Sequence, residues 1–278
     1  MLRSLGSGLH AALYAAAART SQQVALENVA ARLTRGLSSA AVSQAYPRGF
    51  IEFREYTLKP EGAADFLRLS NEYADVRKEL LPLLGIFTCD VGSCLHRVTH
   101  MYHYKDFDER DAVRARAGKD ARWQEYVRLS RAHVAHQENK VMLEAGPVYE
   151  ALSLPPTRDS AAPAGSSSSA PGIYEQRTYQ LHPGYGSVPK LLEAFRKGLP
   201  DKVAADPEGR LVFFGHTDVG TLNNVVELWR YPSAQACINA RQAARKVPTW
   251  RETIGAVTPG VQHFTSAFLK PLPFSPWQ

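Results

Sequence analysis

The chain has 278 residues, of which 44% are hydrophobic and 22% are charged, so it is long enough for about two domains that each bury a core. Its three cysteines are too few, and odd in number, for a disulfide framework. A net charge of +6 without a run of lysines and arginines among aromatic residues argues against nucleic acid, and no apolar stretch reaches the roughly 20 residues that span a bilayer.

Residues 1–45 have the composition of a mitochondrial transit segment. Alanine, serine and leucine dominate, with one acidic residue, Glu27, and four arginines: Arg3, Arg19, Arg32 and Arg35. This composition predicts import into mitochondria, by default into the matrix, with cleavage near Leu37. A secretory signal with its apolar core at Leu9–Ala18 and a cytosolic location are the alternatives.

Residues 46–152 predict one repeat of strands and helices. Apolar side chains alternate from Phe50 to Leu58, which predicts a strand, and recur every three or four residues from Ala63 to Leu83, which predicts a helix. Two strands, two helices and a weak last strand follow: Gly85–Val91, Leu95–Tyr104, Asp106–Ala117, Arg122–Gln137 and Lys140–Glu144. The order β-α-β-β-α-β is that of a ferredoxin-like domain.

The composition changes abruptly at residues 153–172. Proline, serine, glycine and alanine leave few side chains that could pack, which predicts a disordered linker. A flexible coil of about 20 residues spans roughly 25 Å on average, enough to let the flanking domains lie side by side.

Residues 173–278 repeat the plan of the first half. Tyr174–Leu181 matches Ile51–Leu58 at a shift of 123 residues, and Gly220–Tyr231 matches Ser93–Tyr104 at a shift of 127. A helix, two strands, two helices and a strand follow the first strand: Val188–Leu199, Gly209–Val219, Leu222–Tyr231, Ser233–Arg245, Trp250–Val257 and Val261–Leu269. The proline-rich tail from Lys270 onward is predicted to be extended.

One strand of the second repeat carries large apolar side chains on both faces. Val226 and Leu228 alternate with Val225, Trp229 and Tyr231. The helices of a ferredoxin-like unit cover one face of its sheet, and a strand that is apolar on both faces is buried on both. The sequence therefore predicts an α+β fold in which tandem ferredoxin-like repeats join as a dimeric α/β-barrel-type pair, within one chain or between two.

With both repeats identified, the chain resembles the NipSnap family over nearly all of residues 46–278. Tyr174–Gly184, Gly215–Gly220, Leu222–Tyr231 and Leu269–Phe274 carry the resemblance, and the linker is similar to the branch of the third paralogue. The resemblance implies tandem dimeric α/β-barrel domains and a mitochondrial association. From the first two paralogues it also implies retention on damaged mitochondria and recruitment of autophagy receptors. It implies no enzymatic reaction.

Oppositely charged residues lie two positions apart on the first strand of each repeat: Glu52 with Arg54, and Glu175 with Arg177. They could line a cavity between the sheets that holds a carboxylate or an oxidised ligand. Alternatively, they are structural ion pairs between neighbouring strands, each worth about 0.2–1 kcal/mol. In the first repeat His100 stands where the second has Glu227, so the second repeat is the better candidate site. The candidate cavity-lining residues are Arg54, His100, Arg177, Glu227 and Trp229.

Three histidines and two cysteines lie close together in the first repeat: His96, His100, His103, Cys89 and Cys94. Zinc needs four convergent nitrogen or sulfur ligands, and the second repeat lacks all five, so ordinary sheet residues are the favoured interpretation. Haem binding through His100, His216 or His263 rests on analogy between folds alone. We predict no catalytic residue, metal or cofactor.

Two segments have an aromatic and an aliphatic residue three positions apart, as motifs for autophagy receptors do: Phe66–Leu69 and Tyr126–Leu129. Burial of these helix faces is the favoured interpretation. The leading hypothesis is a non-enzymatic mitochondrial adaptor that binds proteins, autophagy receptors among them, in mitochondrial quality control or vesicle-related trafficking, with a homo-oligomer as an option. The alternative is a small-molecule- or haem-binding barrel related to oxygenases, with Arg177, Glu227 and Trp229 near its cavity.

Overall fold

The computed structural model describes residues 46–160 and 172–278. The predicted transit segment, residues 1–45, lies outside the described residues, as do residues 161–171 of the predicted linker. Within the described part of the chain, no helix combines the length and the apolar character needed to cross a membrane.

The first repeat has the predicted β-α-β-β-α-β order. Its elements are β1 (Phe50–Leu58), α1 (Ala63–Glu72), α2 (Ala74–Leu80), β2 (Leu83–Val91), β3 (Arg97–Tyr104), α3 (Phe107–Ala117), α4 (Ala121–Arg131), β4 (Val134–Glu144) and α5 (Gly146–Ala151). The side chains of Asp106 and Asp120 accept hydrogen bonds from the first turns of α3 and α4, which fixes where both helices begin.

The second repeat follows the same order. Its elements are β5 (Ile173–Leu181), α6 (Ser187–Ala204), β6 (Arg210–Val219), β7 (Asn224–Tyr231), α7 (Ala234–Ala244), α8 (Pro248–Val257) and β8 (Val261–Pro271). Ser233 caps α7 as Asp106 caps α3 in the first repeat.

The two sheets close into one barrel within a single chain. The strand order is β1-β3-β2-β8-β5-β7-β6-β4, and two antiparallel seams join the repeats. Cys89 pairs with Leu269 at the β2–β8 seam, and Glu144 pairs with Gly215 at the β4–β6 seam. The predicted fold class is confirmed, and closure leaves neither sheet with an unpaired edge.

Apolar side chains from both repeats fill the centre of the barrel. Phe53 packs on Phe213 with ring centroids 5.2 Å apart, and Phe87 packs on Tyr174 at 4.8 Å. Val226 and Leu228 point into this core, whereas Val225, Trp229 and Tyr231 point outward to the helices, and all five are buried. The prediction that this strand is covered on both faces is therefore correct.

Two predicted helices of the first repeat end earlier in the structure than their patterns suggest. The segment predicted as one helix over Ala63–Leu83 is interrupted at Tyr73 and ends at Leu80, because Pro82 disfavours a helical conformation at the preceding residue. The helix predicted to reach Gln137 ends at Arg131. Residues 134–139 instead extend β4, where they pair with the second half of β1.

The first residues of the predicted linker are packed rather than disordered. Thr157 is fully buried, its backbone N–H donates to Glu144 at 2.6 Å, and its hydroxyl bonds that of Tyr149 at 2.6 Å. Tyr149 in turn belongs to the core of the second repeat. The proline-rich tail also packs, since Trp277 is buried in the barrel core and its indole N–H donates to Ser160.

Candidate functional site

The outward face of β5 carries the charged residues that the sequence singles out. Glu175, Arg177 and Tyr179 alternate on the side of the strand that faces α6, α7 and α8. On the neighbouring strand β7, Glu227 lies directly opposite Arg177. Strand alternation and register therefore place a row of ionisable groups between the sheet and its helices.

Glu227 is the centre of this row. Its carboxylate is fully buried and accepts hydrogen bonds from the Tyr179 hydroxyl and the Trp229 indole N–H, both at 2.5 Å. Two positive charges lie slightly farther away, Lys202 Nζ at 3.9 Å and Arg177 Nε at 4.0 Å. Burial, together with Glu227, raises the pKa of Tyr179 well above its ordinary value, so this hydroxyl keeps its proton and remains a donor.

Lys202 brings a buried amine to the site from α6. Its side chain is 6% exposed, and Nζ lies 3.4 Å from the centroid of Trp229 and 5.2 Å from that of Trp250. Burial, only partly opposed by Glu227, lowers the pKa of Lys202 to about 8. Within the described residues no hydrogen bond to Nζ is found, so its donors are available to a ligand.

Glu175 is the second buried carboxylate. Arg241 donates to it at 2.6 Å, the Cys237 thiol at 3.1 Å, and Arg177 lies 3.5 Å away. Although burial alone would raise the pKa of Glu175, the charges of Arg177 and Arg241 hold it below its ordinary value. Burial and the charge of Glu175 raise the pKa of the Cys237 thiol to about 12, so the thiol is protonated and a poor nucleophile at neutral pH.

A cavity of about 470 Å³ lies above this row, between the outward faces of β5 and β8 and the three helices. Four basic side chains and one acidic side chain line its walls: Arg177, Lys202, Arg241, Arg245 and Glu175. The apolar part of the walls includes Trp250, Ile254, Val257 and Phe264. The volume is within the range of small-molecule sites. A mostly apolar chamber with several basic groups suits a molecule that has an apolar body and an anionic end.

The candidate residues lie on the helix-facing side of the sheets, not between the two sheets. Arg177 lines the cavity of the second repeat, and Arg54 lines an equivalent pocket of the first. Glu227, Trp229 and His100 lie beneath them and are buried. The prediction of a site between the sheets is wrong, because the centre of that space is filled and a polar pocket of only about 200 Å³ remains at one end.

The charged pairs agree in part with the alternative interpretation of ion pairs between neighbouring strands, since Arg177 also lies 4.0 Å from Glu227 on β7. Each pair lies along a single strand, with Arg54 3.7 Å from Glu52 on β1 and Arg177 3.5 Å from Glu175 on β5. Each carboxylate is also bonded by an arginine from a helix, Arg110 in the first repeat and Arg241 in the second. The pairs therefore tie helices to the sheet.

Lys202 and Arg241 are the functional residues that the sequence analysis missed. The predicted helix ended at Leu199, directly before Pro200, whereas α6 continues through Pro200 to Ala204. Extending the buried stripe of Leu191, Phe195 and Leu199 by three residues would have placed Lys202 on the apolar face. A lysine within an apolar stripe of a helix indicates a buried amine, and this pattern was present in the sequence.

The histidines and cysteines of the first repeat do not converge. Cys89 faces the barrel core, His96 is exposed, and His100 is buried on the helix-facing side. Among the described residues, no group of three or more side chains could hold a metal ion.

The histidines considered as haem ligands also lie apart. His100 is sealed among Tyr56, Tyr102 and Arg77, and His216 is half-buried on β6. Only His263 lines the cavity, where it is exposed. Among the described residues no buried histidine reaches the chamber, so the residues present do not supply an enclosed axial ligand for haem.

The two candidate motifs for autophagy receptors lie on packed helix faces, where three of their four anchor side chains are buried and Leu129 is half-buried. Phe66 and Leu69 are 1% and 5% exposed, and Tyr126 is 3% exposed. The favoured interpretation of these segments as buried helix faces is confirmed, and neither can be bound as a linear motif in the folded chain.

Comparisons with known proteins agree with this architecture. The NIPSNAP family model matches residues 51–146 and 174–276. Protein NipSnap homolog 3B of Mus musculus is 31% identical over 232 residues, covering 82% of this chain and 85% of its own. Protein NipSnap homolog 3A of Homo sapiens is 28% identical over 259 residues, covering 88% and 96%. A candidate monooxygenase of Lactobacillus acidophilus NCFM superposes with a TM-score of 0.54 at 11% identity, covering 80% of this chain and 93% of its own, which is a likeness of fold.

Proposed function

The chain belongs to the NipSnap family, and from that premise we propose that it is a mitochondrial binding protein whose second repeat holds a small apolar molecule by its anionic end. The observation that carries the proposal is that the ammonium group of Lys202 is buried beside a largely apolar chamber and donates no hydrogen bond to any described residue. A buried charge whose donors are unused is costly, and an anionic ligand would satisfy it.

The chamber supports a carboxylate-bearing ligand in particular. Arg177 Nε and Arg241 Nε are buried without a hydrogen-bond partner in the described structure, so three basic groups beside the chamber have unused donors. Trp250, Ile254 and Val257 supply apolar surface to the same chamber. Each hydrogen bond to a charged group contributes about 1.5–3 kcal/mol, and apolar burial adds to it.

A titration calorimetry experiment with decanoate and decanol tests this proposal. One molecule of decanoate should bind per chain. Lys202→Met should weaken the affinity for decanoate by about 10-fold to 150-fold and leave the affinity for decanol unchanged, because only the carboxylate bonds the ammonium. Ile254→Trp should block both ligands by filling the chamber. Ala256→Trp, an exposed position of the same helix, is the matched control and should bind normally. Equal decanoate affinity in the wild type and in Ile254→Trp would contradict the proposal.

The mitochondrial part of the proposal is supported by the arginine-rich, acid-poor composition of residues 1–45. Fusing these residues to a fluorescent reporter should direct it to mitochondria. Replacing Arg3, Arg19, Arg32 and Arg35 by glutamine should leave the reporter in the cytosol, since the positive charge of the segment is lost. A cytosolic or secreted wild-type fusion would refute the location.

A second candidate function, that of a protein-binding adaptor, is favoured by a different observation. The β2–β3 and β6–β7 hairpins expose apolar side chains at equivalent positions, Leu95 at 63% and Leu222 at 58%. Affinity capture from intact mitochondria should recover proteins with the wild type that Leu95→Asp together with Leu222→Asp no longer retains. Identical captured sets would remove this candidate.

A further inference from the structure

The two repeats differ in how they neutralise their buried positive charges. In the second repeat, Arg177 and Lys202 share two buried carboxylates, Glu175 and Glu227. In the first repeat, Arg54 and Arg77 take the equivalent places, but His100 stands where Glu227 would be. The first repeat has therefore lost one of its two internal negative charges.

The remaining carboxylate of the first repeat is already shared. Glu52 is 2.9 Å from Arg110, 3.6 Å from Arg114 and 3.7 Å from Arg54. This one buried negative charge thus faces three positive charges before Arg77 is considered, and Arg110 has a further partner in the exposed Asp111 at 3.2 Å. Among the described residues, neither carboxylate is within ion-pair distance of Arg77.

Arg77 is buried and is bonded by neutral groups only. It is 2% exposed, donates to the hydroxyls of Tyr102 and Tyr126 at 2.5 Å each, and lies 3.4 Å from Nδ1 of His100. Its guanidinium also stacks on Trp123, 5.2 Å from the ring centroid. No carboxylate among the described residues lies within 4.0 Å of it.

His100 does not supply the missing charge. Burial and the nearby Arg77 and Arg54 hold the pKa of His100 well below its ordinary value, so the ring is neutral at physiological pH. Its Nε2 atom is buried and has no hydrogen-bond partner within the described structure. A buried charge without a counter-ion costs several kcal/mol, which an ion from solution would offset.

A pocket of about 400 Å³ opens onto Arg77 from between β1 and the helices. Four arginines line it, Arg54, Arg77, Arg114 and Arg131, together with the uncharged donors Gln124 and Gln137. None of the lining side chains that the structure describes is acidic. Guanidinium groups are suited to the paired oxygens of carboxylates and phosphates, and a pocket of one sign of charge concentrates anions.

We infer that the first repeat binds a small oxyanion, the carboxylate or phosphate group of a metabolite, in this arginine-lined pocket, against Arg77 and beside the buried His100 that replaces Glu227 of the second repeat. This site is separate from the chamber of the second repeat and does not depend on the function proposed for it. The two repeats thus share one fold but neutralise their buried positive charges differently, the second with its own carboxylates and the first with a bound anion.

Thermal unfolding at constant ionic strength tests the inference, with chloride exchanged for phosphate in one arm and for benzoate in the other. At saturation, at least one oxyanion should raise the Tm of the wild type by about 4 °C or more beyond the rise that it causes in His100→Glu. The reason is that only the wild-type site binds the oxyanion, and it does so only in the folded state. His100→Glu gives the first repeat a carboxylate at the position equivalent to Glu227. It serves as the baseline because phosphate also stabilises proteins non-specifically, by exclusion from their surface. His100→Gln, which adds no charge, should respond as the wild type does.

Two further variants keep the test decisive. Arg114→Glu places a carboxylate at the half-exposed rim and should also abolish the response, so the result does not depend on His100→Glu folding. Ile254→Trp fills the chamber of the second repeat and should keep the response, which separates this site from the other cavity. Equal Tm shifts in the wild type and both carboxylate variants, or no shift with either oxyanion, would overturn the inference.

Discussion

At the residue scale, Lys202 and Arg77 occupy equivalent places in the two repeats, and each buries a positive charge between a sheet and its helices. Lys202 is 5% exposed and Arg77 is 2% exposed. An arginine keeps its proton in any protein environment, whereas a lysine can lose its proton when it is buried. The lysine therefore makes the second repeat sensitive to pH in a way that the first is not.

Replacing Lys202 by methionine should remove a distinct pH dependence of stability. The folded pKa of about 8 lies below the ordinary value of 10.5, because burial outweighs the attraction of Glu227. Between those two values the unfolded chain still holds a proton that the folded chain has released, so the free energy of unfolding of the wild type rises with pH. From pH 7.5 to 10, the wild type should gain about 2–3 kcal/mol relative to Lys202→Met in urea unfolding.

The charged and polar groups around Lys202 do not obscure the comparison. Cys237, whose pKa is raised, and the neighbouring Glu175, Arg177 and Asp206 are present in both proteins, so their contributions largely cancel in the difference. Parallel stability curves for the wild type and Lys202→Met across this range would show that the amine is not perturbed.

At the scale of elements, the crossing of α6 and α8 positions the site. The two helices pack closely because Gly198 has no side chain where α6 meets Thr253, and a Cβ there would overlap both Oγ1 and Cβ of Thr253. One helix carries Lys202, and the other carries Trp250 and Ile254. Any separation of the helices would enlarge the chamber and move Lys202 away from Glu227.

Gly198→Ala should lower the free energy of unfolding by about 1–3 kcal/mol, because overpacking at a helix crossing forces the backbones apart. Gly255→Ala is the matched control on α8. A Cβ at Gly255 meets nothing within 4 Å, so this substitution should raise stability by up to about 1 kcal/mol through helix propensity. Equal effects of the two substitutions in urea unfolding would show that the crossing is not tight.

Element identity could be predicted well, whereas the ends of three helices could not. Alternation in Phe50–Leu58 and in Tyr174–Leu181 was sufficient to predict β1 and β5. Proline usually stops a helix, yet α6 continues five residues beyond its predicted end, through Pro200, with Leu199 and Lys202 buried on either side of it. Tertiary packing outweighed the local cost.

At the scale of the whole molecule, each repeat covers a face of the other. The inner faces of both sheets are apolar, and the two seams join them into one closed barrel. Burying one large apolar side chain contributes about 1.5–3 kcal/mol, so the shared core contributes more to stability than either repeat could retain alone.

A protein consisting of residues 173–278 alone should therefore dimerise or aggregate. Without the first repeat, the inner faces of β5 to β8, with Tyr174, Phe213 and Leu228, would be exposed to water. Size-exclusion chromatography with light scattering should find no stable monomer, whereas residues 46–278 serve as the control in which the barrel is complete. A monodisperse monomer of the fragment would contradict the account of the core.

The sequence by itself determined the repeat, the strand and helix order, and the two apolar faces of β7, because these depend on local periodicity and on comparison of the two halves. Only the tertiary structure decided which face of each sheet meets the partner sheet and which meets the helices, since a period of two is the same from either side. That choice placed Arg177 and Glu227 on the helix-facing side of the sheet, Arg177 in the wall of the chamber and Glu227 buried beneath it. It also brought Lys202 to Glu227 and Arg241 to Glu175, through helix packing that no local pattern specifies.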